Sequence, residues 1–151
     1  MEEIRLKARA KINLTLDVTG KRDNGYHELQ MIMQTVGLYD EIVLRKIPEN
    51  EIRLESNVSW LPADNRNLAW RAAELMRSTY DIKEGVLIQI DKRIPVAAGL
   101  AGGSADCAAV LVGMNKLFSL KLPAKKLEEL ALTMGTDIPY CVRRGTVLAE
   151  G

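Results

Sequence analysis

The stretch Pro95-Val-Ala-Ala-Gly-Leu-Ala-Gly-Gly-Ser-Ala-Asp106 decides the fold, because it joins a predicted strand to a predicted helix. Residues 86–94 before it form an alternating apolar run, and residues 104–118 after it are alanine-rich and predict a helix. Glycine adopts positive φ freely and lets another molecule approach the backbone closely. The N–H groups and the positive dipole end of a helix N-terminus bind anions. The stretch therefore predicts a phosphate site.

A purely structural interpretation of this stretch is a tight connection between two elements. From Val96 onward, however, no side chain before Asp106 is larger than leucine, and a simple turn does not need so long a bare segment. The stretch contains neither GxxxxGK[ST] nor GxGxxG. The P-loop and the Rossmann dinucleotide fingerprint are therefore excluded.

The composition limits the classes of protein to which the chain can belong. The sequence has 151 residues, of which 47% are hydrophobic and 27% charged, as is typical of one soluble globular domain. A net charge of +1 gives no support for nucleic-acid or membrane partners, and the sequence has no signal-peptide pattern. We therefore expect a cytoplasmic protein. Cys107 and Cys141 lack metal-ligand spacing, and a single histidine, His27, argues against a histidine-based metal site.

The first third of the chain predicts an antiparallel meander. Residues 4–18 alternate as a long strand with one buried face, and Asn24-Gly25 is a strong hairpin turn. Further strands are predicted from Tyr26 to about Val36, over 40–47 and over 52–55.

The rest of the chain predicts helices around the glycine-rich stretch. A helix is expected over 68–80, with Asn65 or Asn67 as its N-cap, and a charged helix over 124–134. A final strand is expected over 142–150, interrupted by Arg143-Arg144-Gly145. The predicted apolar face of the first of these helices contains Leu68, Ala72, Leu75, Met76 and Thr79.

Three polar residues stand out from these patterns. Lys11 and Asn13 lie in the middle of the first strand, where asparagine is disfavoured unless its amide has a function. Asp137 follows the helix-ending Gly135 and precedes Pro139, which constrains the connection. The alternatives are an exposed strand lysine for Lys11 and a helix N-cap for Asp137.

The sequence resembles the GHMP kinases, the family of galactokinase, homoserine kinase, mevalonate kinase and phosphomevalonate kinase. The resemblance begins with the glycine-rich stretch, which is similar to the second motif of that family. Three further elements extend it over essentially the whole chain: Ala10-Lys-Ile-Asn-Leu-Thr-Leu16, Gly25-Tyr-His27 and Gly135-Thr-Asp-Ile-Pro139. Together they resemble the members that phosphorylate a cytidine diphosphate-linked methylerythritol in non-mevalonate isoprenoid synthesis.

The resemblance implies a fold and a domain boundary. It implies an α+β domain similar to domain 2 of ribosomal protein S5, with an antiparallel meander and a left-handed βαβ unit. Residues 1–151 would be the N-terminal, ATP-binding domain. We expect the family's second half to be absent, so this chain alone should be weak or inactive and should self-associate through the apolar surface left open.

The resemblance also implies roles for individual residues. Asp137 takes the proton of the attacking hydroxyl, and Lys11 keeps that carboxylate ionised. Asn13 positions the substrate, while Tyr26 and His27 hold the cytosine by stacking and by a hydrogen bond to its edge. ATP, with Mg2+ to neutralise its triphosphate, is expected to bind at a loop of eleven residues. These are Pro95, Val96, Ala97, Ala98, Gly99, Leu100, Ala101, Gly102, Gly103, Ser104 and Ala105.

Two alternative functions stay open. The first is a GHMP kinase with another small-molecule substrate, such as mevalonate, homoserine or a sugar; in that case Tyr26 and His27 are ordinary strand residues beside a hairpin. The second is an S5-like RNA-binding module. Its only support is a basic strand face, formed by Arg5, Lys7, Arg9 and Lys11.

Overall fold

A computed structural model describes residues 1–9, 38–94 and 102–150 of the chain. The strands are β1 (Glu3–Arg9), β2 (Tyr39–Ile47), β3 (Ile52–Ser56), β4 (Gly85–Asp91) and β5 (Thr146–Glu150). The helices are α1 (Leu68–Thr79), α2 (Gly102–Leu117), α3 (Ala124–Leu132) and the short α4 (Ile138–Tyr140). A π-helical turn over Cys141–Gly145 joins α4 to β5. The expected α+β class is confirmed.

The five strands form one mixed sheet in the order β3-β4-β2-β1-β5. β3 and β4 pair in parallel, with Leu54 opposite Ile88, and the other neighbours pair antiparallel. Because parallel neighbours need a crossover, the chain returns through α1, and β3, α1 and β4 form a βαβ unit.

The predicted meander is wrong in its strand order, because β1 pairs directly with β2, the third predicted strand, and the fourth predicted strand is not next to β2. The strand expected over 52–55 is present as β3, but it does not pair with β2, because β4 lies between them. An alternating pattern predicts which face of a strand is buried, but it does not determine which other strand pairs with it. The remainder of the first strand beyond Arg9, the Asn24-Gly25 hairpin and the strand from Tyr26 to Val36 lie outside the described residues.

Helix α2 is the centre of the core. Its middle part, from Cys107 to Met114, is apolar all round and almost wholly buried between the sheet, α1 and the later turns, as such a composition requires. Gly113 allows α2 to pack close to the sheet, because a Cβ atom at this position would lie 2.5 Å from Leu44 Cδ1 and 2.9 Å from Leu6 Cδ1. No helix in the described ranges is long and apolar enough to cross a bilayer.

Helix α1 begins as predicted, and its buried face is rotated from the predicted one. Asn67 is the N-cap, and its Oδ1 accepts the N–H of Ala69 at 2.8 Å. Leu75 is only half-buried and Thr79 is exposed. Small side chains such as alanine let the helix pack close to its neighbours, but they contribute little to a hydrophobic sequence pattern, so the pattern did not identify this face. The buried face is Ala69, Ala72, Ala73 and Met76.

Candidate functional site

The glycine-rich stretch enters the described structure at Gly102, where α2 begins. Gly102, Gly103, Ser104 and Ala105 form the first turn of this helix, which therefore begins two residues before the predicted start at Ser104. Residues 95–101 lie outside the described part. An α-helix leaves the N–H groups of its first turn without intrahelical partners. A Cβ atom on Gly103 would meet only Leu68 Cδ1, at an ordinary 3.9 Å, so described side chains do not require a glycine there.

Asp137 occupies the N-cap position of α4 and is exposed. Its side chain makes no capping hydrogen bond, so the interpretation of this residue as a helix cap is correct for its place in the chain and wrong for its side chain. The other predicted polar site residues lie outside the described part of the chain, and their distance from Asp137 stays a prediction. They are Lys11, Asn13, Tyr26 and His27.

A buried charged triad lies beside the start of α2. Lys92 Nζ is 2.7 Å from Asp40 Oδ2 and 3.1 Å from Asp106 Oδ2. All three side chains are at most 5% exposed. Asp40 is at the beginning of β2, Lys92 follows β4 directly, and Asp106 is on α2. The triad therefore joins the two chain segments that flank residues 95–101.

The backbone that leads into the glycine-rich stretch is fixed by side chains. Asp40 Oδ1 accepts the N–H groups of Arg93 at 2.6 Å and Ile94 at 2.8 Å. The N–H of Lys92 donates to Asn57 Oδ1 at 2.7 Å, and Asn57 Nδ2 donates to the Lys92 carbonyl at 3.2 Å. Every residue from 92 to 94 thus has a backbone hydrogen bond to a side chain outside its own strand.

The Arg93 side chain adds a second attachment to β2. Its guanidinium carbon lies 4.9 Å from the centre of the Tyr39 ring, and Lys7 Nζ lies at the same distance from that ring. Arg93 also pairs with Asp91 at 3.1 Å. Cations at this distance over an aromatic face are attracted to it, which holds Arg93 against the sheet.

The surroundings of the triad raise the pKa of Asp106 and of Lys92. Burial raises the pKa of Asp106 well above its usual range, and Asp40 raises it further while Lys92 opposes the rise. Burial lowers the pKa of Lys92, but the two carboxyl groups outweigh burial and leave it above its ordinary value. Asp106 Oδ1 is buried with no hydrogen-bond partner among the described residues.

Sequence reasoning missed most of this triad. Asp106 enters the sequence analysis only as the end of the glycine-rich stretch, and Asp40, Lys92 and Asn57 are not singled out there. The weak indication available was charge at the end of the otherwise apolar run 86–94. Asp40 and Lys92 are 52 residues apart, so no local pattern connects them.

The described residues hold no ready-made metal site. No group of three or more histidine, cysteine, aspartate or glutamate side chains converges within 1–9, 38–94 and 102–150. Asp40 and Asp106 do come together, but the ammonium of Lys92 lies between their oxygens. A lysine in that place excludes a cation from it.

Comparison with known sequences gives a consistent group of relatives. The GHMP kinases N terminal domain family matches residues 67–145. Proteins named 4-diphosphocytidyl-2-C-methyl-D-erythritol kinase are 55% identical in Lachnospira eligens and 53% identical in Acetivibrio thermocellus, each over all 151 residues. A protein of that name in Clostridium botulinum is 56% identical over 146 residues, 97% of this chain. The chain spans about half of each relative, 52% to 53% of its length.

Comparison with solved structures gives the same fold at lower identity. A homoserine kinase from Cytophaga hutchinsonii superposes with a TM-score of 0.73 at 19% identity, covering 100% of this chain and 49% of that one. A 4-(cytidine 5'-diphospho)-2C-methyl-D-erythritol kinase superposes with a TM-score of 0.53 at 24% identity, covering 99% and 50%. At these identities the likeness establishes the fold alone.

Proposed function

The chain belongs to the GHMP kinase family, and we propose that residues 1–151 are the ATP-binding N-terminal domain of a kinase acting on 4-diphosphocytidyl-2-C-methyl-D-erythritol. The enzyme would transfer the γ-phosphoryl group of ATP to the 2-hydroxyl of that substrate, a step of non-mevalonate isoprenoid synthesis. The observation that carries the proposal is the 55% identity, over the whole chain, to a relative with that name.

The proposal includes a finer description of the fold. The domain would be similar to domain 2 of ribosomal protein S5, and its β3-α1-β4 unit would be left-handed. The parallel pairing of β3 with β4 across α1 supports such a unit. A left-handed crossover is the rare form, because almost all such connections are right-handed.

The triphosphate would bind at residues 95–105, against the N-terminus of α2. Helix N–H groups and the positive dipole end supply attraction without a charged side chain, in place of the P-loop lysine. The absence of any described side chain within ordinary packing distance of Gly103, other than Leu68, supports backbone exposure at this position.

The reaction itself needs little covalent chemistry from the protein. The substrate's 2-hydroxyl oxygen forms a bond to the γ-phosphorus, the bond from that phosphorus to the bridging oxygen breaks, and ADP leaves. The proton of the hydroxyl passes to Asp137, whose exposed carboxylate at the start of α4 is compatible with a base that substrate must reach. Lys11 would keep this carboxylate ionised and stabilise charge near the transferred group.

Substrate choice would rest on Asn13, Tyr26 and His27, with the two rings holding the cytosine. The alternative substrates are mevalonate, homoserine and sugars. The homoserine kinase structure that superposes well is only 19% identical, so it supports a common fold and gives no support for a common substrate.

Mg2+ is proposed to enter bound to ATP. This ion usually takes one or two carboxylates together with the phosphates and water, so a cluster of three acidic side chains is not required. When bound, it neutralises the triphosphate charge. We assign it no ligand among the described residues.

The remaining partners follow from the surface. RNA binding loses support because the basic face of β1 begins with an acidic residue, Glu3, which pairs with Arg5 at 3.6 Å and with Arg45 at 2.7 Å. We propose no nucleic-acid or membrane partner, and the cytoplasm as the compartment. Self-association stays a prediction.

Ligand-induced stabilisation of the purified 151-residue chain tests the function. A ligand that binds only the folded state stabilises it by about 2.7 kcal/mol at a hundred times its Kd. ATP with Mg2+ and CDP should each raise the melting temperature, whereas UDP, mevalonate, homoserine and galactose should not.

The variant His27→Ala separates the two ligand sites. It should weaken the effect of CDP and leave that of ATP unchanged. A wild-type melting temperature unaffected by both nucleotides would contradict the proposal. Stabilisation by homoserine, mevalonate or galactose in place of CDP would favour the alternative substrates.

A further inference from the structure

We propose that the carboxyl group of Asp106 carries a proton in the folded chain, and that nucleotide binding at the start of α2 is linked to this protonation. The second half of the statement rests on the proposed ATP site. The first half concerns the unliganded chain and stands without it.

Among the described residues, the charges of the triad do not balance. Lys92 contributes one positive charge, and two ionised carboxylates would contribute two negative ones, which leaves a net charge of −1. All three side chains are at most 5% exposed, so water does not compensate it. An uncompensated buried charge is so costly that the group usually takes up a proton instead.

The hydrogen bonds identify which acid holds the proton. Asp40 acts as an acceptor at both oxygens, from Lys92 Nζ at Oδ2 and from the N–H groups of Arg93 and Ile94 at Oδ1. An ionised carboxylate only accepts, and that is what these three donors require. Asp106 has one oxygen beside Lys92, while its Oδ1 has no donor among the described residues. Protonation turns the unsatisfied acid into a donor.

The surrounding groups agree with this assignment. From β2 the carboxyl of Asp40 raises the pKa of Asp106, and from the segment after β4 Lys92 lowers it, with burial as the largest effect. Around the adjacent residue, Cys107, lie Arg71 of α1 and Cys141 of the π-helical turn. β1 brings only apolar side chains to this face of the sheet. These are Ile4, Leu6 and Ala8.

The position of Asp106 links its proton to the ligand. It is the fifth residue of α2, close behind the turn whose N–H groups would hold the triphosphate. An ionised carboxylate there would repel a polyphosphate, and a protonated one does not. Because linkage is reciprocal, a bound triphosphate must also strengthen proton binding by Asp106.

The first experiment measures unliganded stability against pH for the wild type and Asp106→Asn. The carboxamide is a neutral isostere that does not titrate. If the folded-state pKa is raised, the wild type loses stability relative to the variant as pH rises from about 4 to that pKa, by up to tenfold per pH unit in the folding equilibrium constant. Asp81→Asn, at an exposed aspartate, is the matched control and should show no such trend.

If the ratio of the folding constants of the wild type and Asp106→Asn stays constant between pH 5 and 9, the proposal is overturned. Such a result would mean that Asp106 is already ionised at pH 5 in both the folded and the unfolded state. Titration of the Asp106 carboxyl carbon by NMR provides the same answer without a variant. A midpoint above the ordinary aspartate range supports protonation, and a midpoint within or below that range contradicts it.

The second experiment measures the Kd for ATP with Mg2+ between pH 6 and 9. Wild-type affinity should fall relative to Asp106→Asn as pH rises, and titration calorimetry in two buffers of different ionisation enthalpy should show proton uptake only in the wild type. Equal pH dependence in both proteins would overturn the linkage. If neither binds ATP, the linkage and the proposed function are both overturned, while the stability comparison still decides where the proton is.

Discussion

Asp40 Oδ1 accepts the backbone N–H of Ile94 at 2.8 Å, across 54 residues of sequence. Ile94 is the last described residue before the glycine-rich stretch, and it is fully buried. One aspartate at the start of β2 therefore fixes the point from which that stretch departs. The same carboxylate binds Lys92, which ties this point to α2 through Asp106.

Removal of the Asp40 carboxylate should destabilise the chain strongly. The variant Asp40→Ala leaves Lys92 paired with Asp106 alone and removes the acceptor of the Arg93 and Ile94 N–H groups. A buried donor left unsatisfied costs about 1–3 kcal/mol, and urea unfolding would measure the loss. Glu129→Ala, which breaks an exposed pair with Lys126 at 3.8 Å, should change stability by less than about 0.5 kcal/mol. Equal effects of both variants would contradict a structural role for the triad.

The close packing of α2 predicts a second effect. Gly113→Ala would place a Cβ atom 2.5 Å from Leu44 Cδ1, so the leucines of the sheet must move. Overpacking costs about 1–3 kcal/mol, and the better helix propensity of alanine returns up to about 1 kcal/mol. We expect a net destabilisation of about 1–2 kcal/mol in urea unfolding.

Gly103→Ala is the matched control for this substitution, because it lies in the same helix. Among the described residues its Cβ atom would meet only Leu68, at 3.9 Å, so the gain in propensity should dominate and stability should be unchanged or slightly higher. Destabilisation of similar size at both glycines would show that steric contact with the sheet is not the cause.

The local features of this chain were predictable because short-range chemistry determines them. The glycine-rich stretch was expected to feed a helix N-terminus, and α2 begins at Gly102. Asn67 was one of two expected caps, and it makes the capping bond. Strand periodicity located the strands around 40–47, 52–55 and 86–94, each to within a few residues.

The long-range features were not predictable from one sequence. β3 has an alternating pattern that suits either neighbour, and only the crossover through α1 decides that it pairs with β4. The triad depends on Asp40 meeting Lys92 across the sheet, a contact that no periodicity encodes. Sequence patterns identify the buried face and the ends of a helix or strand. Which strands and side chains pair with each other is determined by the packing of the whole domain.

The Asn67 cap predicts a third effect. Asn67→Ala removes the acceptor of the Ala69 N–H and the donor to the Pro62 carbonyl at 2.9 Å. Loss of a cap costs about 0.5–2 kcal/mol, which thermal or urea unfolding would measure. Asn67→Asp keeps the acceptor and should recover most of this loss. Asn65→Ala, at the neighbouring exposed asparagine, should have little effect, and an equal loss there would contradict the assignment of the cap.

Burial of Cys107 predicts a pH dependence at the alkaline end. Burial raises the pKa of this thiol to about 12, whereas an unfolded thiol has a pKa near 8.5. The folded state therefore holds the proton longer, and its stability is intact below about pH 8.5 and lost as pH rises toward 12. Relative to Cys107→Ala, the wild type should lose up to about 1.4 kcal/mol per pH unit above pH 8.5 in urea unfolding. A constant difference between pH 7 and 11 would contradict the buried, protonated thiol.

The proposed role of Asp137 predicts that binding and turnover separate. Asp137 is exposed at the N-cap position of α4, and asparagine is as good an N-cap residue as aspartate. Asp137→Asn should therefore keep the folding stability and the stabilisation by ATP with Mg2+, because both are properties of the ground state. It should reduce whatever substrate-dependent ADP release the wild-type chain supports by about 10²-fold or more, since a carboxamide cannot accept the hydroxyl proton. Asp81→Asn, which removes a carboxylate from an exposed site at the end of α1, should change neither binding nor turnover. An Asp137→Asn chain that releases ADP at the wild-type rate would exclude this aspartate as the base.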